Sequence, residues 1–207
     1  MTIEILAAWL LSAMVAWVPP SQQWREGEFH ATDRYASIAQ DIARVALDPE
    51  EPPLFEGPQG RAQTALLMAS IASFESFFRA DVDKGIVKGD HGRSWCLLQV
   101  QVHNKTAEQW TGPDLINDRT KCLRAGLHLM RNSFVWCRGL KLIDRLAGYT
   151  RGHCIEEPYA EQRMRRALDW WKHHPFTFEL SPPPPSPVAA ATAVPASSVM
   201  VMRSRAD

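Results

Sequence analysis

The chain has 207 residues, enough for one compact domain with appendages, and 45% of them are apolar, an ordinary share for a globular core. Lys+Arg and Asp+Glu both number 23, so the formal charge is zero and nothing electrostatic argues for nucleic acid or an anionic membrane as the main partner. A neutral, polar substrate fits that balance, and the eight Trp and eight Phe belong mostly to a core, with some free to stack on a ligand ring.

Ile5 to Val18 is almost wholly apolar and is closed by Pro19-Pro20. The run is short for a membrane span. Glu4 precedes it and no Lys or Arg does, which departs from an export signal. Residues 1–20 are therefore read as an apolar N-terminal segment, serving either as signal or anchor or as a helix packed on the domain. Ala31 to Ala46 has the period of an amphipathic helix, with Tyr35, Ile38, Ala39, Ile42 and Val45 on one face and Thr32 as N-cap. Asp48 to Pro53 reads as a stiff connector. Gly60 to Arg79 is the strongest helix, with Leu67, Ile71, Phe74 and Phe78 as its buried stripe. Gly85 and Gly89 mark turns, and Trp95 to Val102 leans towards a strand. Asn117 to Phe134 is a helix with Leu123, Leu127 and Met130 inward, and Leu140 to Tyr149 is a shorter one. Glu157 to His173 is a basic amphipathic helix with Met164, Leu168 and Trp171 on one side. From Ser181 a run of prolines and then an Ala/Val/Ser-rich stretch cannot pack, so 181–207 is expected to be a disordered tail. The folded domain is expected over residues 28–178, mostly α, with a small β or loop lobe.

Cys96, Cys122, Cys137 and Cys154 form no CxxC pair, which argues against zinc; their even number permits two disulfides and an oxidising compartment. Cys122 and Cys137 on one helix would stand about 20 Å apart, too far to bond. A helix hairpin turning near residue 138 would bring Cys122 to Cys154 and leave Cys96 for Cys137; Cys96 with Cys154 is the alternative. His173 and His174 point about 100° apart on a helix and cannot easily share a metal ion. Arg163, Arg165 and Arg166 read as a solvated face.

The chemistry centres on Glu75. Its helical neighbours Ile71, Phe74, Phe77 and Phe78 are apolar, a setting that favours a protonated carboxyl, as a glycosidase general acid requires. After Glu75-Ser76 come a Gly- and Asp-rich loop, then Leu97-Leu98-Gln99, and later Ala147-Gly148-Tyr149. This order, over roughly residues 60–155, resembles the lytic transglycosylase (soluble type) and goose-type lysozyme superfamily.

The resemblance implies a lysozyme-like domain that binds peptidoglycan glycan strands and cleaves the MurNAc–GlcNAc bond with no metal or organic cofactor. It makes Glu75 the acid and then the base. Gln99 would hold an N-acetyl sugar, Ser76 would position Glu75 or substrate, and Tyr149 would bond near the carboxylate or the ring. Ser94 and Leu98 join these as substrate-binding candidates. A 1,6-anhydro product needs no second carboxylate. A goose-type hydrolase does, and Asp83 or Asp90 would supply it, while Asp81 reads as a turn residue. Two positions depart from the family pattern: Cys96 stands where it has Gly, and Thr150 where it has Asn. Those departures keep open a non-catalytic glycan-binding or structural component of an envelope or phage assembly. The resemblance implies an exported, periplasmic, envelope or phage-associated protein, and the apolar N-terminus and Pro-rich tail fit a membrane or envelope-assembly tether.

Overall fold

The computed structural model describes residues 2–23 and 25–178. The expected tail at 181–207 lies outside the described residues. Among them are eight α-helices and one two-stranded sheet, in the order α1 (Ile3–Trp17), α2 (Glu28–Leu47), α3 (Gly60–Glu75), α4 (Ala80–Asp83), β1 (Ser94–Trp95), β2 (Val100–Gln101), α5 (Gly112–Asn117), α6 (Arg119–Trp136), α7 (Ala147–Arg151) and α8 (Pro158–His173). The chain is mostly α with a small β lobe.

The centre of the fold is α3. Nearly every residue from Ala62 to Ser73 is buried, so it is an interior helix and not a surface helix with one apolar stripe. Its small side chains, Ala62, Ala65, Ala69 and Ala72, let neighbouring helices approach on several sides. It packs against α1, α2 and α8. On α1 the buried positions are Leu6, Ala7, Leu10, Ala13 and Met14, spaced as one helical face. They share one core with Tyr35, Ile38, Ala39 and Ile42 of α2. The packed unit thus reaches back to α1 and does not begin at residue 28. No helix of the described residues is long and apolar enough to cross a membrane.

Several boundaries differ from the sequence reading. The second helix starts at Glu28, with Gly27 at its N-cap; Thr32 lies inside it and donates its hydroxyl to the Glu28 carbonyl. The strongest helix stops at Glu75, four residues early. Ser76 ends it: its hydroxyl donates to the Ala72 carbonyl and accepts from the Phe78 N–H, while Phe77 and Phe78 turn to φ of 52° and 50°. Phe78 is buried against Tyr35, with ring centroids 5.1 Å apart. The helix expected at Leu140 to Tyr149 is a 3-10 turn, Leu142–Asp144, followed by the five-residue α7.

That last difference decides the disulfides. The bonds are Cys96–Cys122 and Cys137–Cys154, not Cys122–Cys154 with Cys96–Cys137, nor Cys96–Cys154. A long return helix would have carried Cys154 back to the start of α6. The short turn and α7 instead leave it beside Cys137 at the end of α6, with the two Cα atoms 5.1 Å apart. Cys122, in the first turn of α6, meets the β-hairpin at Cys96. Both bonds therefore have one end on α6.

Candidate active site

A cleft of about 1000 Å³ is lined by Glu75 at the end of α3, by the hairpin lobe, by one face of α6 and by α7. The turn between β1 and β2, Cys96 to Gln99, is bent by two left-handed residues, Cys96 at φ 61° and Gln99 at φ 49°. The angle that a glycine adopts freely is thus kept here by a cysteine, and the bond to Cys122 holds it in place. Inside this turn Leu98 is fully buried over Gly126, where a Cβ would come within 2.3 Å of its Cδ1. The Gln99 carboxamide donates to the Cys96 carbonyl at 2.9 Å and lies on bare Gly89, where a Cβ would stand 2.2 Å from its Oε1.

Glu75 has a partner that the sequence reading missed. Arg163 on α8 donates from Nε at 2.9 Å and places its terminal nitrogen 2.8 Å from the same oxygen, Oε1. Its side chain is only 11% exposed, so Arg163 is no solvated face. Oε2 of Glu75 makes no hydrogen bond among the described residues, and the carboxyl sits 20% exposed at the cleft. Arg166, one turn on, donates to Ser73 at 2.7 Å and lies 3.8 Å from the Phe74 ring centroid. Glu75 is thus paired with the Arg163 guanidinium and not set among apolar groups alone. The available signal was periodicity: Arg163 and Arg166 flank the buried stripe Ala160, Met164 and Ala167.

Tyr149 on α7 donates its hydroxyl to the Leu98 carbonyl, tying α7 to the hairpin. Burial pushes its phenol well above the ordinary tyrosine range, and the neighbouring Glu75 charge pushes the same way. The phenol therefore remains a donor at any working pH. Thr150 also lines the cleft and donates to Glu157, the N-cap of α8. This hydroxyl thus secures the helix that carries Arg163.

Of the expected site residues, Glu75, Ser94, Leu98, Gln99, Tyr149 and Asp90 all line the cleft. Ser76 does not; its buried hydroxyl is occupied in ending α3. Asp83 does not either. It is 9% exposed and its two oxygens take the fork of Arg119, which also reaches Asp41. Asp90 accepts from Gln101 at 2.6 Å and lies 3.5 Å from Arg93. Asp81 is held by Arg79 and Arg25, and the hydrogen bond from Arg79 lowers its carboxyl below the usual range. Cleft residues that the sequence reading did not single out include Gln101, His103, Leu129, Asn132 and Trp136. No group of three or more His, Cys, Asp or Glu among the described residues is placed to hold a metal ion.

Comparison with family models, with curated proteins and with solved structures finds no match in any of the three.

Proposed function

We propose that the protein is a lytic transglycosylase that cleaves the MurNAc–GlcNAc β-1,4 bond of peptidoglycan and leaves a 1,6-anhydro-MurNAc end. The observation that carries this reading is the convergence of Glu75, Gln99 and Tyr149, from three separate segments, on one open cleft. Arg163 holds Oε1 and leaves Oε2 without a hydrogen-bond partner among the described residues. In the first half of the reaction Glu75 gives its proton to the glycosidic oxygen as the bond from C1 to that oxygen breaks. In the second half the sugar's C6 hydroxyl oxygen bonds to C1, and its proton returns to Glu75. The Gln99 carboxamide and the Ser94 hydroxyl, which makes no hydrogen bond among the described residues, are placed to hold an N-acetylated sugar. Two disulfides fit an exported protein working in an oxidising compartment.

A muramidase is the second reading, and the cleft position of Asp90 favours it. It requires a base that activates water across the sugar from Glu75. Asp83, bound to Arg119 away from the cleft, no longer suits that role.

The test is mass spectrometry of material released from purified peptidoglycan by the full chain, beside Glu75→Gln. Anhydro-muropeptides from the wild type alone support the transglycosylase. Reducing-end products, one water heavier, support the muramidase. Release of neither by a folded protein sinks both and leaves a glycan-binding or structural role.

A further inference from the structure

Trp136 is the last residue of α6, and its indole is 61% exposed although it lines the cleft. A single exposed aromatic is ordinary on a protein surface; this one is set apart because it opens into the cleft that Glu75 also lines. This indole is also held in place. Its Cε3 would be 3.0 Å from a Cβ at Gly148, so the bare glycine lets the ring pack on α7. The next residue, Cys137, is bonded to Cys154, and Ser133 donates to the Arg145 carbonyl and accepts from the Tyr149 N–H. The mounting is thus rigid on three sides while one ring surface stays open. On the same face of α6, one turn earlier, Asn132 is exposed and its carboxamide makes no hydrogen bond among the described residues. Leu129 continues this face into the cleft at 39% exposure.

We propose that Trp136 and Asn132 form a pyranose-binding subsite, in which the indole stacks on the apolar face of an N-acetylated sugar ring and the carboxamide bonds its hydroxyl or acetamido groups. An open aromatic face beside a free amide, in a cleft of mixed polar and apolar lining, matches the two-sided chemistry of a pyranose: C–H groups on one face, hydroxyls at the rim. The preorganised ring gives up little freedom when a sugar arrives. The subsite rests on the glycan reading of the cleft but not on Glu75 chemistry.

The test is calorimetric titration of the full chain with tetra-N-acetylchitotetraose, a soluble β-1,4 oligomer, in Trp136→Ala, Trp136→Phe and Asn132→Ala. Binding is measured on the Glu75→Gln background so that no turnover intervenes. Trp136→Ala is expected to weaken affinity about tenfold or more, Trp136→Phe about threefold, and Asn132→Ala several-fold, with far-UV circular dichroism unchanged. The Trp136 indole N–H resonance, assigned by its loss in Trp136→Phe, is expected to shift on titration. Equal affinity in Trp136→Ala, or no binding by the parent protein at millimolar oligomer, overturns the subsite. A Trp136 that serves to dock another protein gives that equal-affinity result. Product analysis of the wild type reads the Glu75 proposal separately, so a binder without products keeps the subsite and loses the enzyme.

Discussion

Arg163 reaches only one oxygen of Glu75, and that asymmetry can be measured. Arg163→Met should leave the carboxyl unoriented and lower kcat on peptidoglycan about tenfold to a hundredfold, with KM changed less. Arg163→Lys should recover part of this, because a lysine restores charge but not the two-nitrogen grip. Asp90→Asn separates the two chemistries: a transglycosylase keeps its anhydro products, and a muramidase loses activity. Asp83→Asn is expected to cost about 2 kcal/mol of stability, since it strands Arg119 in a partly buried site, and to leave product identity unchanged. Glu157 gives a pH dependence. Burial raises its carboxyl, but hydrogen bonds from Thr150 and from the Tyr159 and Ala160 N–H groups outweigh this and hold it below the ordinary value. A lowered folded pKa contributes stability above the unfolded value of about 4.3, and that stability is lost as pH falls through the folded value. Thermal melts from pH 7 to pH 3 should therefore show an acid-side loss of Tm that is shallower in Glu157→Gln. At pH 7 that variant should already be less stable by about 1 kcal/mol, the usual worth of a helix cap.

At the scale of elements, sequence pattern predicted where the helices lie better than where they end. The periods over α2, α6 and α8 were plain because each has one apolar face. The end of α3 was hidden because Phe77 and Phe78 extend the apolar pattern while the backbone has already left the helix at Ser76. Nothing in their side chains announces φ near 50°; tertiary burial of Phe78 stabilises it. The disulfide pairing was unreadable for a related reason: it turned on whether residues 140–149 form one helix, and a 3-10 turn has no strong signature. The pairing now has consequences. Cys137→Ser with Cys154→Ser should lower stability by about 3 kcal/mol, judged from the 17-residue separation, and weaken glycan binding more than the loss of fold explains, because it loosens the mounting of Trp136. That Glu75, Gln99 and Tyr149 share one cleft was legible through their order along the chain, whereas the pairing of Arg163 with Glu75 was not: periodicity places Arg163 beside the buried stripe of α8 but names no partner 88 residues away.

At the scale of the whole molecule, α1 is part of the core. Leu6, Leu10 and Met14 are fully buried, and each contributes about 1.5–3 kcal/mol. With their smaller neighbours they approach 10 kcal/mol, comparable with the whole stability of a domain, about 5–15 kcal/mol. A chain started after residue 20 should lose its cooperative melting transition by calorimetry, and one that kept it would show that the remaining helices repack. Composition read the apolar N-terminus correctly as apolar and could not say what covered it, because a helix for lipid and a helix for a core share the same side chains. The two disulfides carry one further implication. Both are fastened to α6, and between Cys122 and Cys137 runs about 22 Å of helix at 1.5 Å per residue. This rod acts as a gauge block: the spacing between the hairpin and the α7 loop is set by helical rise and not by the loops themselves. Residues can be added to those loops and leave the gauge unchanged, whereas one residue inserted in α6 between the sulfurs would turn Trp136 and Cys137 by about 100° relative to Cys122 and take the far jaw out of alignment.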